Sequence, residues 1–215
     1  GYNKSVKALL NACDRDNNLK NGMHDVLANI ISVSKEYQVA IEMSLGQAMQ
    51  NIVTDTENTA KKLVEYLRKN NLGRASFLPI SSVKGRKIDK INEKNLSGVI
   101  GIASDLVKND KIYDQIILNL LGRTVIVDDM DSAIALAKQN SYSFRIVTLK
   151  GDIINPSGAI TGGSVMTKTV NILGRKKEIE ELEKELLKIK EKVGEIQKEK
   201  NDYLVSINDV LEKIE

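Results

Sequence analysis

Apolar and polar positions change rhythm once along this chain of 215 residues. From Ile179 onward, apolar residues recur at alternating intervals of three and four: Ile179, Leu182, Leu186, Ile189, Val193, Ile196, Tyr203, Ile207, Val210 and Ile214. Lys200 fills the single polar place in the series, an a position, where a polar side chain fixes register. The mean repeat of 3.5 residues is the a/d pattern that winds helices left-handed around one another. Glu and Lys dominate the positions between. The segment therefore predicts a rod of roughly 50 Å, at 1.5 Å per residue, whose seam calls for a second helix. A helix lying on its own domain would show a wider stripe and stop sooner.

Ahead of the rod the pattern is that of a folded body, and it occurs twice. Displaced by 76 residues, Gly22–Gly46 falls on Gly98–Gly122 without a gap. Gly22/Gly98, Lys35/Lys111, Tyr37/Tyr113, Ile41/Ile117, Leu45/Leu121 and Gly46/Gly122 are identical. Further on the copies drift in length but keep their order. Ile52-Val53 and Asp55 answer Ile126-Val127 and Asp128, Ala60 and Leu63 answer Ala133 and Leu136, and Arg74 with Leu78 answers Arg145 with Leu149. An internal duplication accounts for this. In each copy a helix ends at a glycine suited to a left-handed C-cap, Gly46 or Gly122. A β-branched strand follows (51–54 or 124–127). Asp55/Thr56 or Asp129/Asp131 then supply N-cap chemistry for a helix over 57–70 or 132–140, and a strand over 75–80 or 144–149 closes the unit. The expected fold class is α+β: two pseudo-repeated α+β subdomains followed by a long coiled-coil helix. The expected domains are an N-terminal helix within 1–19, subdomain I over 20–97, subdomain II over 98–168, and the arm over 170–215. Subdomain I ends in a polar, basic connector, 81–97, expected to be exposed.

Composition narrows the function classes. Hydrophobic residues make up 41% and charged residues 28%, a soluble globular balance. No run of 18 apolar residues is present, so no membrane partner is expected. No signal peptide opens the chain, and Gly1-Tyr2-Asn3 reads as an internal boundary. A net charge of +3 is too small by itself to imply nucleic acid. Cys13 is the single cysteine. It excludes an internal disulfide and a multi-cysteine zinc site, suits a reducing compartment, and reads as an apolar filler near the end of a first helix carrying Val6, Leu9 and Leu10.

The strongest local motif is Asn155-Pro-Ser-Gly-Ala-Ile-Thr-Gly-Gly-Ser164, which follows a hairpin expected at Lys150-Gly151-Asp152. Gly158 and Gly163 have P-loop spacing, but the lysine that would reach the phosphates is replaced by Ser164, with Val165 next. Glycines also serve where two backbones approach closely, as across an interface between strands, and that reading is preferred. His24 is the only histidine, no G-x-S-x-G elbow occurs, and neither a metal site nor a catalytic triad is expected. Asp128, Asp129 and Asp131 are explained by capping. Basic residues gather at Lys61, Lys62, Arg68 and Lys69, at Lys84, Arg86, Lys87 and Lys90, and at Lys168, Arg175, Lys176 and Lys177, where body meets arm. Such charges can contact phosphates. With no Trp, two Phe and six Tyr, aromatics for base stacking are scarce and no stacking platform is evident, so any DNA binding would be weakly sequence-specific.

A duplicated body, a terminal Gly-Gly loop and a coiled-coil arm together resemble the hinge domain of structural maintenance of chromosomes (SMC) proteins, most closely the bacterial chromosome-partition type. The matching stretches are Tyr37-Gln-Val-Ala-Ile-Glu-Met-Ser-Leu-Gly46, Gly73-Arg-Ala-Ser-Phe-Leu-Pro79, Gly98-Val-Ile-Gly101 with Ala103–Val107, Leu121-Gly-Arg-Thr124 with Val127-Asp-Asp129, and Arg145 through Gly163. The resemblance implies a non-catalytic dimerisation hinge, without cofactor, from a cytoplasmic, nucleoid-associated protein whose distant ends form an ABC-type ATPase head. It implies a second copy as partner, the first subdomain of one chain meeting the second of the other, with Gly158, Gly162 and Gly163 at the interface. It further implies that the arm packs antiparallel against a helix preceding the hinge, and that DNA is held without sequence preference, with Lys61, Lys62, Lys168, Arg175, Lys176 and Lys177 as candidates. The rival readings are a small α/β nucleotide-binding enzyme with a helical oligomerisation tail, and a monomeric DNA-binding module.

Overall fold

The computed structural model describes residues 2–163 and the helix Ile172–Leu211. The first helix, α1 (Lys4–Arg15), turns Val6, Leu9 and Cys13 inward, all buried. Burial pushes the Cys13 thiol above its ordinary pKa, as befits an inert core residue. The single turn α2 (Asn17–Lys20) is capped by Asp16, whose carboxylate accepts from the Asn18 and Leu19 amides. β1 (Met23–Val26), α3 (Leu27–Ile30) and the two-residue β2 (Ser32–Val33) follow. A short 3-10 turn then opens α4 (Gln38–Leu45), where Ala40, Ile41 and Leu45 are buried. β3 (Ile52–Thr54) leads into α5 (Glu57–Lys69), whose N-cap Thr56 accepts from the Thr59 amide, and β4 (Phe77–Pro79) closes the first half. The sheet order is β1-β3-β4, with β1 antiparallel to β3 and β4 parallel to it across α5.

The second half repeats this plan. β5 (Val99–Ile102), β6 (Val107–Lys108), α6 (Asp114–Leu121), β7 (Thr124–Val127), α7 (Met130–Gln139) and β8 (Arg145–Thr148) stand in the same order. β5 is antiparallel to β7, and β8 parallel to it. Even the strand irregularity recurs, between Met23 and Asp25 and between Val99 and Gly101. The second half then adds a hairpin, β9 (Ile153–Ile154) and β10 (Ile160–Thr161), giving a five-stranded sheet ordered β10-β9-β8-β7-β5.

Ladder partners fix the true equivalences. Asp25 faces Val53 and Gly101 faces Ile126, so Ile52 corresponds to Val125 rather than Ile126. Leu78, opposite Val53, corresponds to Val147 rather than Leu149. The run Val125-Ile126-Val127 offers three interchangeable residues, which is why matching by type slipped by one. Asp55 and Asp128 are equivalent as expected: their amides donate to the Gly22 and Gly98 carbonyls, each at 2.9 Å. The halves meet at β2 and β6, where Ser32 lies opposite Lys108, its own counterpart at the 76-residue displacement. An antiparallel pair between equivalents sits on a local two-fold axis. Ile41, Leu45, Ile116, Ile117 and Leu121, from α4 and α6, join one core across it. Along β7 the side chains alternate: Ile126 points into that core, while Val125 and Val127 pack with Leu136 and Phe144 in a second cluster.

Three expectations are corrected. Gly122 does not take a left-handed cap: its φ is −66° and ψ −15°. Gly46 has φ 51° but ψ −126°, also away from the left-handed helical region. The cap of α7 is Asp129, which accepts from the Ser132 amide, not Asp131. The connector after β4 is more than an exposed link. Ile88, Ile91 and Leu96 pack on the second cluster, the Ile88 amide donates to the Gly122 carbonyl at 2.9 Å, and Lys87 pairs with Asp105 at 2.7 Å. Gly122 is needed because a Cβ there would strike the Arg86 carbonyl of this strap. The strands β1, β2, β5 and β6 were not foreseen; β2 and β6, of two residues each, are too short to show a period of two.

The chain divides into two compact units, Gly1–Gly174 and Arg175–Glu215. α8 (Ile172–Leu211) begins in the first. Leu173 is 7% exposed, and its amide donates to the carboxylate of Glu42, 5% exposed, at 3.0 Å.

Candidate functional site: the glycine-rich edge

After β8 the chain reverses through Gly151, whose φ is 92° and whose amide donates to the Thr148 carbonyl at 2.9 Å. This is the hairpin expected at 150–152. A second reversal joins β9 to β10: the Gly158 amide donates to the Asn155 carbonyl at 2.8 Å, and the Asn155 amide to the Ala159 carbonyl at 2.9 Å. Gly158 supplies the positive φ of 81° that this turn demands. β10 is the outermost strand. Because 155 bonds 159 and antiparallel pairs alternate, the Ile160 N–H and C=O point away from β9 toward the open side. The Ile160 side chain is 57% exposed.

Gly158, Gly162 and Gly163 thus gather around one edge strand, but they differ. Added Cβ atoms at Gly158 and Gly163 would meet nothing within 4 Å, whereas one at Gly162 would collide with the Asp152 carboxylate. Ser164 lies outside the described residues. Asp152, Thr148 and Ile160 were not singled out from sequence; the turn signal at 150–152 located the bend without assigning Asp152 a task.

The first half offers the matching feature. β4 is equivalent to β8, yet among the described residues no hairpin covers it. The Ile52 amide reaches the Ser76 carbonyl and the Ile80 amide the Thr54 carbonyl. The Phe77 backbone is thereby turned to the free side, whereas the Pro79 carbonyl already accepts from the Val83 amide at 3.0 Å. Pro79 has no N–H to offer, a usual way of limiting promiscuous pairing at a sheet edge.

The remaining candidates fall elsewhere. His24 is exposed on β1, and its Nδ1 lies 2.9 Å from the Tyr113 hydroxyl of the other half, the rings edge to face. Among the described residues no group of three or more His, Cys, Asp or Glu could hold a metal. A cavity of about 180 Å³ lies beside α1, lined by Asn3, Gln47, Gln50, Asn51, Arg74 and Ser76 among others; typical small-molecule sites are about 300–1,000 Å³. Lys61 is exposed beside Glu65. Lys62 is occupied, donating to the Asn18 and Asn21 carbonyls at 2.5 and 2.9 Å. Lys168 and the side chains of Arg175, Lys176 and Lys177 lie outside the described residues, as do the Val210 side chain and Ile214. Along α8 the described seam positions from Ile179 to Ile207 are open: Leu186 is 51% exposed, Val193 51% and Ile196 65%.

Two similar halves about a local two-fold, each a small sheet with a parallel crossover, and a long heptad helix leaving the second half define an SMC hinge. The family model described as SMC proteins Flexible Hinge Domain matches residues 20–137, and the chain belongs to that family. It is 42% identical over 214 residues to the chromosome partition protein Smc of Clostridium kluyveri and 38% identical over 202 residues to that of Bacillus subtilis. These alignments cover 94% and 93% of this chain but 18% and 17% of the relatives, so the chain spans less than a fifth of their length. Among solved structures, an asymmetric dimer of the Geobacillus stearothermophilus SMC hinge domain superposes with a TM-score of 0.78 at 37% identity, covering 92% of this chain and 79% of that one. The Pyrococcus furiosus Smc hinge with an extended coiled coil gives 0.63 at 33% identity, covering 86% and 68%.

Proposed function

We propose that this body is a non-catalytic dimerisation hinge in which β10 of one copy adds to β4 in the first half of another. The observation that carries the reading is the pair of unlike edges on one chain. The second half ends in an exposed strand with outward backbone groups at Ile160, and the first half leaves the equivalent of β8 uncovered. Strand addition would satisfy the outward groups of Ile160 and of Phe77. Because each copy owns one edge of each kind, a two-fold dimer uses both interfaces and closes. The Geobacillus hinge, itself described as an asymmetric dimer, supports self-association.

In the parent protein such a hinge would join two ABC-type ATPases into a V or ring acting in chromosome condensation and segregation at the nucleoid. Its arm would pair through the open α8 seam with an antiparallel helix of the same parent. DNA would be held weakly near the arm root, by Lys168, Arg175, Lys176 and Lys177 with help from Lys61, rather than by Lys62, which is held by α2.

Molar mass in solution tests the dimer. The seam could associate as well, so Leu186→Lys with Val193→Lys is compared with the same chain carrying Ile160→Lys. The seam variant should remain a dimer at micromolar concentration, and the added Ile160→Lys should give a folded monomer. A dimer that survives Ile160→Lys places the interface elsewhere.

A further inference from the structure

We propose that Gly162 serves the interface through Asp152, as clearance for a carboxylate that presets the loop, and not by touching the second copy. This rests on the hinge reading above. The three glycines separate on backbone grounds. Gly158 and Gly163 have φ of 81° and 131°, where a side chain is strained whatever the space. Gly162 has no such φ, so its own backbone admits alanine. The obstacle is Asp152, whose Oδ1 would collide with a Cβ at 162.

Asp152 is gripped from inside the sheet. Its Oδ2 accepts from the Thr148 hydroxyl at 3.1 Å, its amide donates to the same hydroxyl at 3.1 Å, and its carbonyl accepts from the Thr148 amide at 2.9 Å. Thr148 is 1% exposed. Held on that buried post, the carboxylate passes beneath Gly162, and Oδ1 accepts the Gly163 amide at 3.3 Å. The first half has no counterpart, because the residue equivalent to Thr148 is Pro79, which carries no hydroxyl. The clamp is confined to the half with the added edge strand. Asp152 is therefore a positioning residue: it fixes the Gly162-Gly163 backbone before association, so less order is lost on pairing.

A double-mutant cycle on the full chain separates this from direct contact; any contribution of the arm is common to all four proteins and cancels. Gly162→Ala should weaken dimerisation about tenfold in the native background, within the coupling expected of touching residues. In the Asp152→Ala background the same change should cost less than about twofold. Asp152→Asn, which keeps the shape and one acceptor oxygen, should preserve the native sensitivity. Equal losses in both backgrounds would mean that residue 162 meets the second copy itself and would overturn the proposal. Hydrogen exchange of the Gly163 amide, read by NMR, decides the clamp independently of association. It should speed several-fold in Asp152→Ala and in Gly162→Ala alike. No change in Asp152→Ala removes the clamp, even if the chain dimerises. A monomeric native chain would remove the hinge reading while leaving this exchange test decisive.

Discussion

Gly122 and Gly46 occupy the same place in the two halves, yet alanine should fail at them for opposite reasons. Gly122 has ordinary helical angles, φ −66° and ψ −15°. On backbone terms alone, alanine there should gain about 0.5–1 kcal/mol. Against this, its Cβ would lie 2.5 Å from the Leu118 carbonyl oxygen and collide with that of Arg86. Both are backbone atoms, so no rotamer change relieves the clash and the connector must lift. Overpacking of this kind costs about 1–3 kcal/mol, and loosening the Ile88 amide from the Gly122 carbonyl about 1 kcal/mol more. The net expectation is a loss of about 2 kcal/mol, or roughly 4–8 °C in Tm for a domain of this size. Gly46 faces open space, but its φ of 51° with ψ −126° should cost alanine about 1–3 kcal/mol by strain alone. Urea unfolding followed by circular dichroism measures both. The discriminating variant is Ile88→Ala, which frees the connector: it should absorb part of the Gly122→Ala loss and leave the Gly46→Ala loss unchanged. A Gly122→Ala chain as stable as the native one would refute the strap.

Acid should weaken the body in a defined sense. The Thr59 hydroxyl, with the Thr56 amide and hydroxyl, holds the Asp55 carboxyl below its ordinary pKa, and the Ser132 amide and hydroxyl do the same for Asp129. A depressed folded-state pKa means stability that is fully present above the unfolded value, about 4, and is lost as pH falls from there through the lower folded-state value. The urea midpoint should therefore drop between about pH 5 and pH 3, less steeply in Asp55→Asn and Asp129→Asn; a midpoint flat to pH 3 would contradict these contacts. Glu42→Leu, which installs the residue type found at Leu118 in the other half, should destabilise the body by about 1–3 kcal/mol, because the Leu173 amide loses a buried acceptor; unchanged stability would show that bond to be dispensable. DNA affinity, measured by fluorescence anisotropy, should fall steeply with salt and vanish when Lys168, Arg175, Lys176 and Lys177 become Glu. A salt-independent affinity would rule out phosphate contacts.

The features legible in the sequence were those with long periods. The eleven-position heptad seam and the gapless 76-residue displacement needed no structure, because both exceed the length at which chance matching confuses them. The glycine-rich edge was legible as a motif, but not the division of labour within it. Gly162 differs from Gly158 and Gly163 in its φ and in its contact with Asp152, ten residues away in sequence and brought close by the pairing of β9 with β10. Lys62 reads in the sequence as a free cation because its carbonyl partners, Asn18 in α2 and Asn21 just after it, lie more than forty residues away. The two-residue strands β2 and β6 carry the local two-fold, yet two residues cannot announce a strand. Glu42 is legible as the one charged residue of α4, at the place Leu118 holds in the repeat.

The claim that two copies join by adding β10 to β4 is tested most directly by photocrosslinking from position 160 in dimers mixed from ¹⁴N- and ¹⁵N-labelled chains, with mass spectrometry of the linked peptides. The account predicts inter-chain links from Ile160 to the first half of the other copy, centred on Phe77–Pro79. Links confined to α8, or to β10 of the other copy, would contradict it.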